Sequence, residues 1–312
     1  MSDGIIAKDN ATEREDPVSF WRRVFVGGQG IRAGWCLTIF LLILTASIVS
    51  LFGLGILRIP AAAHIFHQGF LSPSLEYLIE VPTAICLLIC SWVMARIEKR
   101  SLGDYGLSLR HGAGKHFSLG LLWGLSVFSG VILFIAAFHG FSFGRLALHG
   151  VSLLKYASLW GIGFLFVGFV EEFLYRGYVQ FTLARATGFW PAAVVWSVVF
   201  AAMHLRNPGE NLAGALEVFV FAIFACLTLR RTGALWFAIG FHAAGDYAET
   251  FLYSVPDSGY VASGTLLNSS FHGPEWLTGG KVGPEASVFS ILMLVVAIVC
   301  FHLIYPPASR QL

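Results

Sequence analysis

The stretch GFLFVGFVEEFLYRGYVQF, residues 163–181, decides the fold. Spanning a bilayer takes about 20 mostly apolar residues, and this run has that length and character, yet it carries Glu171, Glu172 and Arg176. Each ionisable group near the middle of a membrane helix costs about 2.5–3.5 kcal/mol, so three without partners cost roughly 8–10 kcal/mol. Such a segment enters lipid only within a bundle that supplies partners. Glu172 and Arg176 are spaced i, i+4, about 40° apart around a helix, and can pair. Glu171 sits about 100° round from its neighbour and is free to face another group.

The rest of the chain has the same character. Charged residues make up 12% of the 312, against about 25% in a soluble domain, so lipid is the expected solvent. Eight apolar runs predict eight transmembrane helices, over about 33–57, 77–94, 117–138, 153–183, 189–205, 212–229, 235–253 and 286–305. The expected fold class is therefore all-α, a polytopic transmembrane helix bundle. Of the 20 Lys and Arg residues, an even helix count puts fourteen on the side of the N-terminus and five on the other, with Arg176 inside a helix. By the positive-inside rule both termini are cytoplasmic.

The chain divides into a polar cytoplasmic segment (1–32), three N-terminal spans (33–152), a four-helix core (153–253), an extracytoplasmic loop (254–285), and a last span with its tail (286–312). The 254–285 loop, rich in Gly, Ser and Pro, either caps a site or stays mobile, the second being the commoner behaviour of long loops. Glu76 and Glu80 are expected at the outer headgroup edge of the second span. No cleavable signal peptide is read, because the first apolar run starts late and is longer than a signal core. The five cysteines fall in apolar runs without CxxC spacing and are read as packing residues. No basic block is long enough to track a phosphate backbone, so nucleic acid is not an expected partner.

Two further spans carry polar groups on one stripe. In FAAMHLRNPG, Phe200 and His204 are i, i+4; in GFHAAGDYAE, His242 and Asp246 are again i, i+4. Groups of this kind must find one another inside a bundle, since hydrocarbon offers them nothing. Their convergence predicts a polar, water-holding cavity. A carboxylate beside an imidazole can deprotonate a water. A second imidazole with a neighbouring side chain can stabilise an oxyanion. Glu171, His204 and His242 are also a possible zinc set with an open water position.

EEFLYRG (171–177), FAAMHLRNPG (200–209) and FHAAGDY (241–247) resemble the EExxxR, FxxxH and HxxxN/D motifs of the CPBP family, which includes the CAAX prenyl protease 2 and Abi proteins. TLRRTGALW (228–236) looks like the same family. The resemblance implies an intramembrane endopeptidase: Glu171 activates water with help from His204, His242 and Asp246 stabilise the oxyanion, and Glu172 with Arg176 is a supporting ion pair. Position 246 is Asp where many members have Asn. A peptide or membrane-protein substrate within the lipid bilayer follows from the resemblance; zinc stays an open possibility, and no other cofactor is expected. The alternative reading is a proton-coupled transporter using the same Glu, His and Asp cluster, disfavoured by the absence of an inverted repeat. A bacterial plasma membrane is the expected location.

Overall fold

The computed structural model describes residues 26–27, 30–51, 69–110 and 112–306. The expectations for residues up to 25, the first span beyond 51 and the tail from 307 lie outside those residues. The fold is an all-α bundle. Its helices are Ala33–Leu51 (α1), Pro73–Ile97 (α2), Ala113–Ala137 (α3), Gly150–Arg176 (α4), Tyr178–Thr187 (α5), Phe189–His204 (α6), Leu212–Thr232 (α7), Trp236–Asp246 (α8), Glu275–Thr278 (α9) and Val288–Ile304 (α10). Five helical stretches are long and apolar enough to cross a membrane: α1, α2, α3, α4 taken through α5, and α7. Helices α6 and α10 are apolar but shorter.

The long fourth run is two helices rather than one. Gly177 ends α4 with φ −85° and ψ −123°, and a Cβ there would stand 2.3 Å from the Phe173 carbonyl oxygen. Only glycine fits this corner, which leaves Arg176 as the last residue of α4. Helix α2 also begins earlier than its hydropathy suggests. Ser72 caps it, its hydroxyl accepting from the Leu75 N–H at 3.4 Å, and Pro73 fills the first turn, the position where a missing N–H costs nothing. Glu76 and Glu80 therefore fall inside the helix.

The seventh predicted span is the axis of the bundle. Residues 237–245 of α8 are all buried, packed chiefly against α3 and α4. Its polar residues never meet lipid, which accounts for a membrane-depth helix with so little hydropathy. The close approach is made by small residues. On α3, a Cβ at Gly120 would stand 2.2 Å from the Phe237 carbonyl oxygen, and one at Gly124 would stand 2.2 Å from that of Phe241. A small-xxx-small pair of this kind lets two backbones touch. Trp123, Phe224, Phe237 and Phe301 fill the space beside it. Outward, Leu42, Ile85, Ile89, Val198, Val299 and Leu303 are exposed, an apolar surface of the extent that lipid covers.

After Asp246 the helix continues as a π-turn, Tyr247–Tyr253. The loop beyond it is pinned on both sides. Phe70–Leu71 (β3) pairs in parallel with Val261–Ala262 (β5), and Phe141–Ser142 (β4) pairs antiparallel with Ser270–Phe271 (β6); a further short pair joins Val26–Gly27 (β1) to Gly30–Ile31 (β2). The Trp160 indole N–H donates to the Ser263 carbonyl at 3.2 Å, and the Gly259 N–H to that of Val282 at 2.7 Å. The loop thus packs across the helix ends rather than standing free, contrary to the expectation of a mobile segment.

Candidate active site

A cavity of about 300 Å³ lies between α2, α4, α6, α7 and α8 and is lined by Glu171, His204, His242 and Asp246. Glu172 and Arg176 are fully buried behind its wall. The adjacency of Glu171 and Glu172 in sequence explains this division, since neighbours on a helix point about 100° apart: one carboxylate faces the cavity, the other the protein.

His242 joins the two. Its Nδ1 lies 2.9 Å from Glu172 Oε1, and its Nε2 lies 3.5 Å from Glu171 Oε2 and 3.6 Å from Asp246 Oδ2. Glu172 Oε1 also receives Arg176 Nη1 at 3.4 Å, so the carboxylate accepts from a guanidinium and an imidazole together. Arg176 in turn stacks 4.3 Å over the Phe200 ring, a contact favourable to the cation. The predicted Glu172–Arg176 pair is present, and its contact with His242 was not anticipated.

His204 is held differently. Its Nδ1 lies 2.9 Å from the Phe200 carbonyl oxygen. A carbonyl only accepts, so Nδ1 carries the proton and Nε2 keeps its lone pair in the neutral ring. The Phe200 ring packs edge-on against His204 at 4.5 Å and lies 6.5 Å from His242. The i, i+4 spacing of Phe200 and His204 therefore serves both imidazoles and the guanidinium.

Four further groups of residues reach the cavity that sequence patterning had not placed there. Glu76 and Glu80, expected at the headgroup edge, line it from α2; their i, i+4 spacing puts them on one face. Glu217 lines it from α7, accepting from the Ser290 hydroxyl at 2.8 Å. Asp257, Ser258 and Tyr260 reach it from the loop after α8, and Glu285 from the turn before α10. Outside the spans, burial pushes the Asp257 carboxyl up to about 6, opposed by the Thr250 hydroxyl and His242. Burial and the neighbouring carboxylates Asp257, Glu217 and Glu210 push Glu285 well above its usual range. An i, i+4 pair of acids in an apolar run is a signal that would have found Glu76 and Glu80; the loop acids carry no such mark.

Among the described residues, Glu171, His204 and His242 do not gather their ligand atoms within 4.8 Å of one another. A zinc ion held by these three would need side-chain movement that brings in His204, since His242 Nε2 already lies 3.5 Å from Glu171 Oε2. The site as it stands has the parts for hydrolysis: a cavity-facing carboxylate, one imidazole with a free lone pair, and a second imidazole oriented from behind.

Residues 153–248 match the family model described as type II CAAX prenyl endopeptidase Rce1-like, a range that runs from the start of α4 to just past Asp246. No curated protein matches the chain. Over residues 153–248 the chain is similar to the type II CAAX prenyl endopeptidase Rce1-like family.

Proposed function

We propose that the chain is an intramembrane endopeptidase in which Glu171 takes a proton from water as the water attacks a peptide carbonyl. The observation that carries this reading is the Glu172–His242–Glu171 sequence of contacts at the cavity wall, with Glu172 anchored by Arg176. Glu171 is the base because its carboxylate lines the cavity. His204 Nε2 accepts the water's other hydrogen and keeps the oxygen lone pair aimed outward. The new oxyanion is met by His242 Nε2–H when that ring carries both protons, and the geometry is maintained by Glu172 at Nδ1. Asp246 stands beside the same nitrogen and donates to the oxyanion only in its protonated form or through water. Collapse of the tetrahedral intermediate returns the proton from Glu171 to the amine that leaves. If zinc binds here, Glu171, His204 and His242 are the residues to hold it, and it would supply a Lewis acid at the carbonyl.

The substrate is a peptide or a segment of a membrane protein that reaches the cavity from the bilayer. The charge asymmetry of the loops supports placing both termini on the cytoplasmic face, in a plasma membrane. The test is cleavage of a membrane-peptide library by wild type, Glu171→Gln and His204→Ala, reconstituted in liposomes. Both variants are expected to insert normally and cleave nothing that wild type cleaves. Wild-type cleavage by Glu171→Gln would remove the mechanism, and solute or proton flux without any cleavage would replace it with transport.

A further inference from the structure

Glu249, Asp257 and Glu285 come from three separate pieces of chain: the π-turn after α8, the loop that follows it, and the short turn before α10. Each offers a carboxylate oxygen, and these oxygens lie within 4.8 Å of one another. Like charges at that spacing repel. The charges acting on Glu249 are other carboxylates, Glu285, Asp257, Glu217 and Asp246. Two members of the group have protein donors. Asp257 accepts from the Thr250 hydroxyl at 2.9 Å, and Glu285 from the Ser258 N–H at 2.6 Å and its hydroxyl at 3.1 Å. The third has none among the described residues: Glu249 is 2% exposed, and its Oε1 has no hydrogen-bond partner there. A sealed, unpartnered carboxylate oxygen in a group of carboxylates is the arrangement a cation completes.

We propose that Glu249, Asp257 and Glu285 bind one divalent cation of the calcium class, which clasps the loop over the cavity. Calcium takes six to eight oxygens at about 2.3–2.6 Å, in flexible geometry. Ligands on opposite sides of such an ion stand about 4.6–5.2 Å apart, so oxygens confined within 4.8 Å fit it without rearrangement. Three carboxylates supply up to six of the oxygens, and all are hard donors; the absence of His or Cys from the group disfavours zinc. The π-turn has a part in this. Its wider winding carries Glu249 toward the loop directly after Asp246, and π segments are commonly found at functional positions. On the topology that the loop charges support, this loop is extracytoplasmic, where calcium sites of about 10⁻⁴–10⁻³ M dissociation constant suffice. The ion's role is structural. Asp257 and Glu285 also line the cavity, so fixing them fixes part of its wall.

The inference does not depend on the peptidase reading, and its test reads no activity. Full-length protein in detergent micelles is stripped with EGTA. Calcium binding is then measured by equilibrium dialysis with radioactive calcium, and the thermal midpoint with and without calcium. Wild type and the control Glu275→Gln, altered outside the group, are expected to bind one calcium per chain and to unfold at a higher temperature with it. Glu249→Gln and Asp257→Asn are expected to bind about tenfold more weakly or not at all, and to lose the shift. Wild type that retains neither calcium nor magnesium nor manganese, with a midpoint indifferent to all three, overturns the proposal in favour of carboxylates neutralised by protons. Calcium binding by Glu249→Gln equal to wild type overturns it also. If either variant fails to fold, the wild-type binding and midpoint decide the matter alone.

Discussion

Gly124→Ala tests how closely the axis helix must be held. The added methyl would lie 2.2 Å from the Phe241 carbonyl oxygen, where ordinary contact begins near 3.4 Å. The shortfall is about 1.2 Å, and the atom met is backbone, so no side chain can swing aside. Helices α3 and α8 must part, or α8 must slide, and the residue after Phe241 is His242. Overpacking of this kind costs about 1–3 kcal/mol, and a displacement near 1 Å at a reacting group costs about 10²-fold in rate. Gly114→Ala is the control, since a Cβ on that residue of the same helix meets nothing within 4 Å. Thermal unfolding and peptide cleavage are compared for both variants in one detergent. The expected result is a lowered midpoint and a rate down about 10²-fold for Gly124→Ala, with Gly114→Ala near wild type. Equal midpoints and rates for the two would refute the close-packed axis.

Three other outcomes follow from the same geometry. Glu171→Gln should keep the thermal midpoint and lose about 10²–10⁴-fold in cleavage, the range of a general base; retention of the rate would show that another group takes the proton. Arg176→Ala strips a fully buried carboxylate of its ion pair, which costs about 3–5 kcal/mol, so a poor yield of folded protein is expected, and normal yield with full activity would deny the pair its supporting role. Arg185→Ala, far from the cavity, removes the ion-pair partner of Glu98 at the end of α2, where the Tyr178 hydroxyl remains; a loss of about 1–3 kcal/mol is expected, read as a lower midpoint with an unchanged rate in the surviving protein.

Much of the bundle is legible from local pattern. The apolar runs mark the long helices because lipid exposure demands apolar side chains over a fixed length, and that demand is met residue by residue. The motif charges at 171, 172, 176, 204, 242 and 246 stand out for the converse reason: at membrane depth a polar group is costly unless something pays for it. Where the pattern misled, a neighbour was the cause. Hydropathy starts the second span at residue 77, but the Ser72 cap and Pro73 start the helix at 73 and place Glu76 on it, one turn before Glu80. The fourth run reads as one span, yet the tight corner at Gly177 divides it.

From the amino-acid order alone came the all-α class, the membrane as solvent, and the short set of ionisable residues that needed partners, because these follow from the cost of burying charge in a helix of known period. Only the tertiary structure decided which partner each one has. That His242 bridges Glu172 and Glu171, that α8 is walled in by its neighbours, and that acids from the 254–287 region close the cavity all depend on contacts between residues distant in the chain. Spacing within one helix cannot encode these, since they are set by how the helices pack and by where the loop returns.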